Sequence, residues 1–214
     1  YYRSISSRVM ELMNVHADRF EQRSIDEAYM DISAANSYDE AERLAELIKK
    51  EIKNSFGITC SIGIGPNKLI AKMASRYKKP DGLTVIKPED VKDFLFKLPA
   101  GKIFGVGTKT KEKLEGMGIR TIEDLSAKRQ DELQETVGEK KGHFLYDACR
   151  GLDDSPVEAV ERQQISCIGT LKEDTRNSET IKEKLYELSD ELHQKLLKEK
   201  KKFRSVSIML ITEN

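Results

Sequence analysis

Two adjacent carboxylates, Asp26 and Glu27, stand in the run Ser24-Ile25-Asp26-Glu27-Ala28-Tyr29. Hard divalent cations such as Mg²⁺ take oxygen ligands and favour one or two carboxylates completed by substrate phosphates. On a regular strand, neighbouring side chains point to opposite faces. Both acids can therefore serve one site only if the backbone turns there, as at the tip of a hairpin. On the dipeptide alone, two exposed turn carboxylates remain the competing reading. His16, His143 and His193 are scattered, as are Cys60, Cys149 and Cys167. That scatter fits neither a zinc pattern nor a disulfide framework, so the thiols are expected reduced and buried, and a metal site would rest on carboxylates.

A second group is basic. From Ser61 to Pro80 there are Lys68, Lys72, Arg76, Lys78 and Lys79 and no acid. Lys68, Lys72 and Arg76 are four apart and share one face of a helix expected over Asn67–Tyr77. A solvated helix face explains the spacing nearly as well as a phosphate site does. A third group is Gly105-Val106-Gly107-Thr108-Lys109-Thr110. It is not a P-loop, because Thr108 separates Gly107 from Lys109 and no strand precedes it. It reads instead as a helix-hairpin-helix turn. Such a turn offers backbone N–H groups and a helix N-terminus to DNA phosphates without reading sequence. Lys109 and Lys111 would reinforce it; a helical turn with no ligand is the alternative. Val137-Gly138 could be a second, degenerate copy.

The elements that must position these groups follow from periodicity. Ile5, Val9, Leu12 and Met13 recur at helical spacing. Arg19 to Ile32 reads as a strand pair around Asp26 and Glu27. Ser37 is a candidate N-cap for a helix to about Lys53, closed by Gly57. Ile58–Ile64 and Leu83–Ile86 read as strands, so residues 1–87 form an α/β layer on one sheet. After Pro88 glycines punctuate short helices, giving a helical domain over 88–150. Residues 151–162 read as a linker. A strand over 163–171, a helix from Ser178 to Lys200 and a strand over 203–211 make a βαβ unit within 163–214. The expected class is α+β, in several domains.

Composition constrains the rest. The chain has 214 residues, 35% charged and 38% hydrophobic, with Lys+Arg and Asp+Glu equal at 37 each. Net charge thus gives no pointer to nucleic acid. No apolar run approaches membrane-spanning length and the amino end lacks a signal-peptide layout. The chain begins at Tyr1 without an initiator Met and stops directly after an apolar run, so both ends are expected to be cut.

The hexapeptide, followed by Met30-Asp31, resembles the signature of Y-family translesion DNA polymerases of the DinB class. Pro66-Asn67-Lys68 through Lys79-Pro80-Asp81-Gly82 resembles that family's second palm motif, and the Gly105–Gly107 turn resembles its thumb. The resemblance covers essentially the whole chain. It implies palm, thumb, linker and partial little finger in that order. It implies two Mg²⁺ ions, with Asp26 a shared ligand and Glu27 a ligand of the catalytic ion. It implies Lys79 on the incoming triphosphate, with Lys68 and Lys72 near phosphates. Asp31 also falls in the motif but reads as a structural strand-end or cap residue. Primer-template DNA and deoxynucleoside triphosphates are the implied partners, with a sliding clamp reached through a missing tail. A cytoplasmic monomer with no membrane contact is expected. The family's first palm strand, with its metal-binding Asp, the steric gate and the fingers, would lie before Tyr1, and the end of the little finger beyond Asn214. The chain would then hold two of three carboxylates and be inactive alone. The competing classes are a non-catalytic DNA-binding module using the hairpin, and another palm-like nucleotidyl enzyme such as a cyclase.

Overall fold

The computed structural model describes residues 1–159 and 164–211. The chain divides into two compact units, Tyr1–Val160 and Glu161–Asn214.

In the first unit, helix α1 (Tyr2–Val15) leads into an antiparallel hairpin of β1 (Arg19–Gln22) and β2 (Ala28–Asp31). The register pairs Glu21 with Tyr29 and Gln22 with Ala28, which leaves residues 23–27 as the turn. Helix α2 (Tyr38–Phe56) starts where its sequence asks it to. The Glu40 N–H donates to Ser37 Oγ at 3.2 Å, Asp39 and Glu40 occupy the first turn, and Gly57 ends it in the left-handed region. Its face of Ala41, Ala45, Ile48 and Ile52 is buried.

Strand β3 (Ile62–Ile64), helix α3 (Lys68–Tyr77) and strand β4 (Leu83–Val85) form a parallel crossover. The helix lies directly on β3 because Gly63 has no side chain. A Cβ there would stand 2.1 Å from the Ala71 carbonyl oxygen and 2.2 Å from the Ser75 nitrogen. Asn67 caps α3, its Oδ1 accepting from the Ile70 N–H at 3.0 Å. Only residues 62–64 of the strand expected over 58–64 join a ladder. In place of a ladder partner, the Cys60 carbonyl accepts from Lys49 Nζ at 2.6 Å.

The single sheet expected for residues 1–87 is not what forms. Among the described residues, β1–β2 and β3–β4 are separate two-stranded sheets. A cleft of about 490 Å³, lined by Tyr29, Asp31, Ile64 and Asn67 among others, lies between β2 and β3.

The helical part contains α4 (Val91–Phe96), α5 (Thr108–Gly116), α6 (Ile122–Ser126), α7 (Gln130–Val137) and α8 (Glu139–Ala148). One core runs through it and into α3: Leu69, Ile70 and Met73 are clustered with Phe94, Leu95, Leu114, Leu133 and Leu145. Burial of this kind stabilises by about 25 cal/mol per Å² of apolar surface removed from water. It is why residues on both sides of position 88 fall in one unit.

In the second unit α9 (Ser178–Glu199) is capped by Asn177, which accepts from the Glu179 N–H at 2.9 Å. The βαβ expectation is corrected here: within the described residues, 164–171 and 203–211 form no strand. A strand exists only through a neighbour's N–H and C=O groups, and these two segments do not pair with each other. Residues 167 and 169 instead lie along α9. Lys195 Nζ stands 3.2 Å from Cys167 Sγ, and a Cβ on Gly169 would meet Lys184 and Leu188. Gln163 and Thr212–Asn214, which the sequence reading included, lie outside the described residues. No described helix is long and apolar enough to cross a membrane.

Candidate functional site

Asp26 and Glu27 are at the tip of the β1–β2 hairpin, in the turn that sequence reasoning required. The turn is closed by the Arg23 and Ser24 N–H groups, which donate to the Glu27 carbonyl at 2.9 and 3.2 Å. Ser24 shapes its outer edge. Its hydroxyl donates to Asp26 Oδ1 at 2.6 Å and accepts from the Asp26 N–H at 3.2 Å. On the far side Ser6 Oγ of α1 donates to the Ile25 carbonyl. Asp26 is exposed; Glu27 is half-buried.

Helix α3 supplies the countercharge. Lys72 Nζ is 2.5 Å from Glu27 Oε1, and Lys68 Nζ is 2.5 Å from Glu21 Oε2. Their shared face is therefore not a solvated one: Lys72 is only 9% exposed and Lys68 is half-buried. Glu21, at 1% exposure, was not legible as a site residue. Its partner is 47 positions away, and nothing local marks a strand glutamate as buried. Asp153 also enters from a distance, its Oδ2 accepting from the Leu69 N–H at 2.9 Å, at the start of α3.

Lys79 is exposed at the far end of α3, and its peptide with Pro80 is cis. The structure does not bring it into contact with Asp26 or Glu27. The neighbouring Asp81 is held by Lys49, whose hydrogen bond keeps its carboxyl below the ordinary value. Asp31 is likewise lowered, first by the Ser33 hydroxyl and then by the Ser33 N–H, which donates to Asp31 Oδ1 at 3.0 Å. That is the strand-end role expected of it. Tyr29, on the strand leaving the turn, has its phenol raised by burial.

The metal question turns on donor chemistry. Two carboxylates on one exposed turn are the oxygen set a hard divalent cation takes, with water or phosphate completing the shell. The residues fit Mg²⁺ in that sense. Among the described residues no third His, Cys, Asp or Glu joins them in a cluster.

The second region is the turn before α5. Gly105 has φ +92, a left-handed conformation that glycine takes without cost, and Gly107 is the N-cap. Residues 104, 105 and 107–109 are exposed. Val106 is fixed by its N–H to the Ile103 carbonyl at 3.1 Å, while Lys141 Nζ of α8 donates to the Gly105 carbonyl at 2.8 Å. Lys109 projects from the first turn of α5; Lys111 is drawn toward Glu115 at 3.6 Å. Phe104, which the sequence did not single out, puts its ring 5.5 Å from Lys72 Nζ and 5.9 Å from the Arg76 guanidinium carbon. These are cation–π distances, and they link this turn to the helix behind Glu27.

Models of the impB/mucB/samB family match residues 1–76 and, for its C-terminal domain, 162–214. A DNA polymerase-iota thumb-domain model matches 101–153. DNA polymerase IV of Methanosarcina acetivorans is 44% identical, with all of this chain aligned to 61% of its length. DNA polymerase IV of Nitrosopumilus maritimus is 39% identical over 99% of this chain and 59% of its own. A Y-family DNA polymerase chimera superposes with a TM-score of 0.86 at 35% identity, over 91% of this chain and 57% of that one. An insertion ternary complex of Dbh DNA polymerase gives 0.73 at 34% identity, covering the same 91% and 57%. A carboxylate-tipped hairpin beside a thumb-like helix-hairpin-helix domain, in a mixed helix and sheet fold, is the class these features define. The chain belongs to the Y family of DNA polymerases, in its DinB/DNA polymerase IV-like branch. It spans about three-fifths of the length of the curated relatives it matches.

Proposed function

We propose that this chain carries the metal-binding turn and the DNA grip of a template-directed, low-fidelity translesion DNA polymerase. The observation that carries the reading is the placement of Asp26 and Glu27 together on the turn between β1 and β2, with α3 behind them. In this reading Asp26 and Glu27 would hold two Mg²⁺ ions, which when bound would supply the Lewis-acid chemistry of nucleotidyl transfer to a primer 3′-hydroxyl. Lys72 orients Glu27 from behind. Lys79 meets the incoming deoxynucleoside triphosphate. Gly105 and Gly107 present backbone N–H groups to the duplex phosphates, Val106 holds the turn between them through its own N–H to the Ile103 carbonyl, and Lys109 and Lys111 add charge.

The corresponding domains are a palm over 1–87, a thumb over 88–150, a linker over 151–162 and part of a little finger over 163–214. The working protein is a cytoplasmic monomer that meets a sliding clamp. With two carboxylates on the turn and no third beside them among the described residues, the 214-residue chain alone does not extend a primer.

The test is Mg²⁺-dependent primer extension by this chain joined to the upstream palm residues of the family. Asp26→Ala and Glu27→Ala should each lower extension by about 10³-fold or more, the loss expected when a metal-held transition state is abandoned, with DNA affinity retained. Unchanged extension in either variant refutes the site assignment. Extension by the 214 residues alone refutes the claim that they are inactive. Primer-template binding with no extension in any form supports the non-catalytic rival.

A further inference from the structure

We propose that Glu21 and Lys68 are positioning residues for the carboxylate turn: their buried ion pair fixes the β1–β2 hairpin on α3 and so sets where Asp26 and Glu27 stand. The proposal rests on the reading of that turn as the metal site.

A carboxylate at 1% exposure must have its charge met inside the protein, because water cannot reach it. Three groups meet that of Glu21. Lys68 Nζ is 2.5 Å from Oε2, the Glu158 N–H donates to the same oxygen at 3.4 Å, and Arg23 Nη1 is 3.5 Å from Oε1. Lys68 in turn is fully engaged. It donates to the Pro156 carbonyl at 3.0 Å and lies 5.1 Å from the centre of the Tyr29 ring. Tyr29 is directly opposite Glu21 in the ladder, so one lysine touches both strands of the hairpin.

The consequence reaches the turn by two routes. Arg23, held by Glu21, is the residue whose N–H closes the turn on the Glu27 carbonyl. And Lys68 and Lys72, four apart on one face of α3, pair with Glu21 and Glu27 as two rungs between helix and hairpin. A hairpin held at the first rung cannot slip at the second, since a one-residue slip would swing every side chain to the other face. If Lys68 moved away to contact a phosphate, Glu21 would be left as an uncompensated buried charge. Its task is thus to hold the turn rather than to bind the triphosphate.

The experiment uses the 214-residue chain, with Glu21→Gln, Lys68→Met and the double variant. Amide hydrogen exchange is read by NMR at Arg23 and Ser24 and compared with the core amides of α2. In both single variants, Arg23 and Ser24 should exchange about tenfold faster relative to α2, the mark of a local opening rather than a global one. Mn²⁺ broadening confined to residues 24–28 in the unaltered chain should weaken at the same Mn²⁺ concentration. Should a single variant fail to fold, the double, which leaves no unpaired charge, decides by the same exchange ratio. Exchange ratios and broadening within twofold of the unaltered chain, even with a lower Tm, would show the pair to be merely structural and overturn the proposal. If the unaltered chain shows no broadening at 24–28, the metal reading fails, while the exchange ratio still decides the positioning role.

Discussion

Lys72 Nζ stands 2.5 Å from Glu27 Oε1 and 5.5 Å from the centre of the Phe104 ring. A single buried ammonium therefore touches the carboxylate turn on one side and the residue before Gly105 on the other. Replacing it tests the link energetically. Lys72→Met should destabilise by about 1–2 kcal/mol, less than a fully buried pair because Glu27 retains some solvent. Urea unfolding would check this, and an unchanged midpoint would mean the pair contributes nothing.

The Gly105 turn makes a separate prediction. Gly105→Ala forces a side chain into φ +92, which costs about 1 kcal/mol in backbone strain and should weaken duplex binding in low salt. Lys109→Ala should leave folding intact and reduce the slope of log affinity against log salt by about 1. Fluorescence anisotropy on a primer-template across salt concentrations reads both, and an unaltered slope would exclude Lys109 from the phosphates.

Asn67 joins two places that sequence alone keeps apart. Its side chain caps α3 through the Ile70 N–H at 3.0 Å and donates to the Gly151 carbonyl at 2.7 Å. Asn67→Ala removes both bonds and should destabilise by about 1–2 kcal/mol. Asn67→Asp keeps the cap and loses the donor, so it should fall between. Thermal unfolding of the three proteins gives the order.

Acid should destabilise the first unit in a defined window. The Asp31 carboxyl is lowered mainly by the Ser33 hydroxyl, that of Asp124 by the Thr121 and Arg120 N–H groups, and that of Asp81 by Lys49. A carboxyl whose folded value is depressed stabilises the fold above its unfolded value, about 3.9, and loses that contribution as pH falls through the folded value. The urea midpoint should thus be flat from about pH 7 to 5 and drop below about pH 4. Asp124→Asn should make the drop shallower.

Several of these features were legible in the residues. The Ser24–Tyr29 run reads as a turn because both acids cannot face one way on a strand, and that turn is present. Ser37 and Gly57 bracket α2 by local chemistry, and local chemistry survives folding. What stayed hidden depends on distant partners. Spacing put Lys68 and Lys72 on one face but could not show that Glu21 and Glu27 lie against it. Residues 164–171 and 203–211 have strand composition, yet a ladder needs a neighbour that composition does not name. The same holds for the cleft that lies between β2 and β3.

The central claim is that Asp26 and Glu27 hold the reactive cations. The most direct measurement is Fe²⁺-directed backbone cleavage of the chain joined to its upstream palm residues, with primer-template and a non-hydrolysable nucleotide bound. With ascorbate and O₂ supplying peroxide and re-reducing the metal, iron in place of Mg²⁺ generates hydroxyl radicals that cut the nearest backbone. The account predicts cleavage within residues 24–28, abolished by excess Mg²⁺ and by Asp26→Ala. No cleavage at 24–28, or cleavage there that survives Asp26→Ala and Glu27→Ala together, would contradict it.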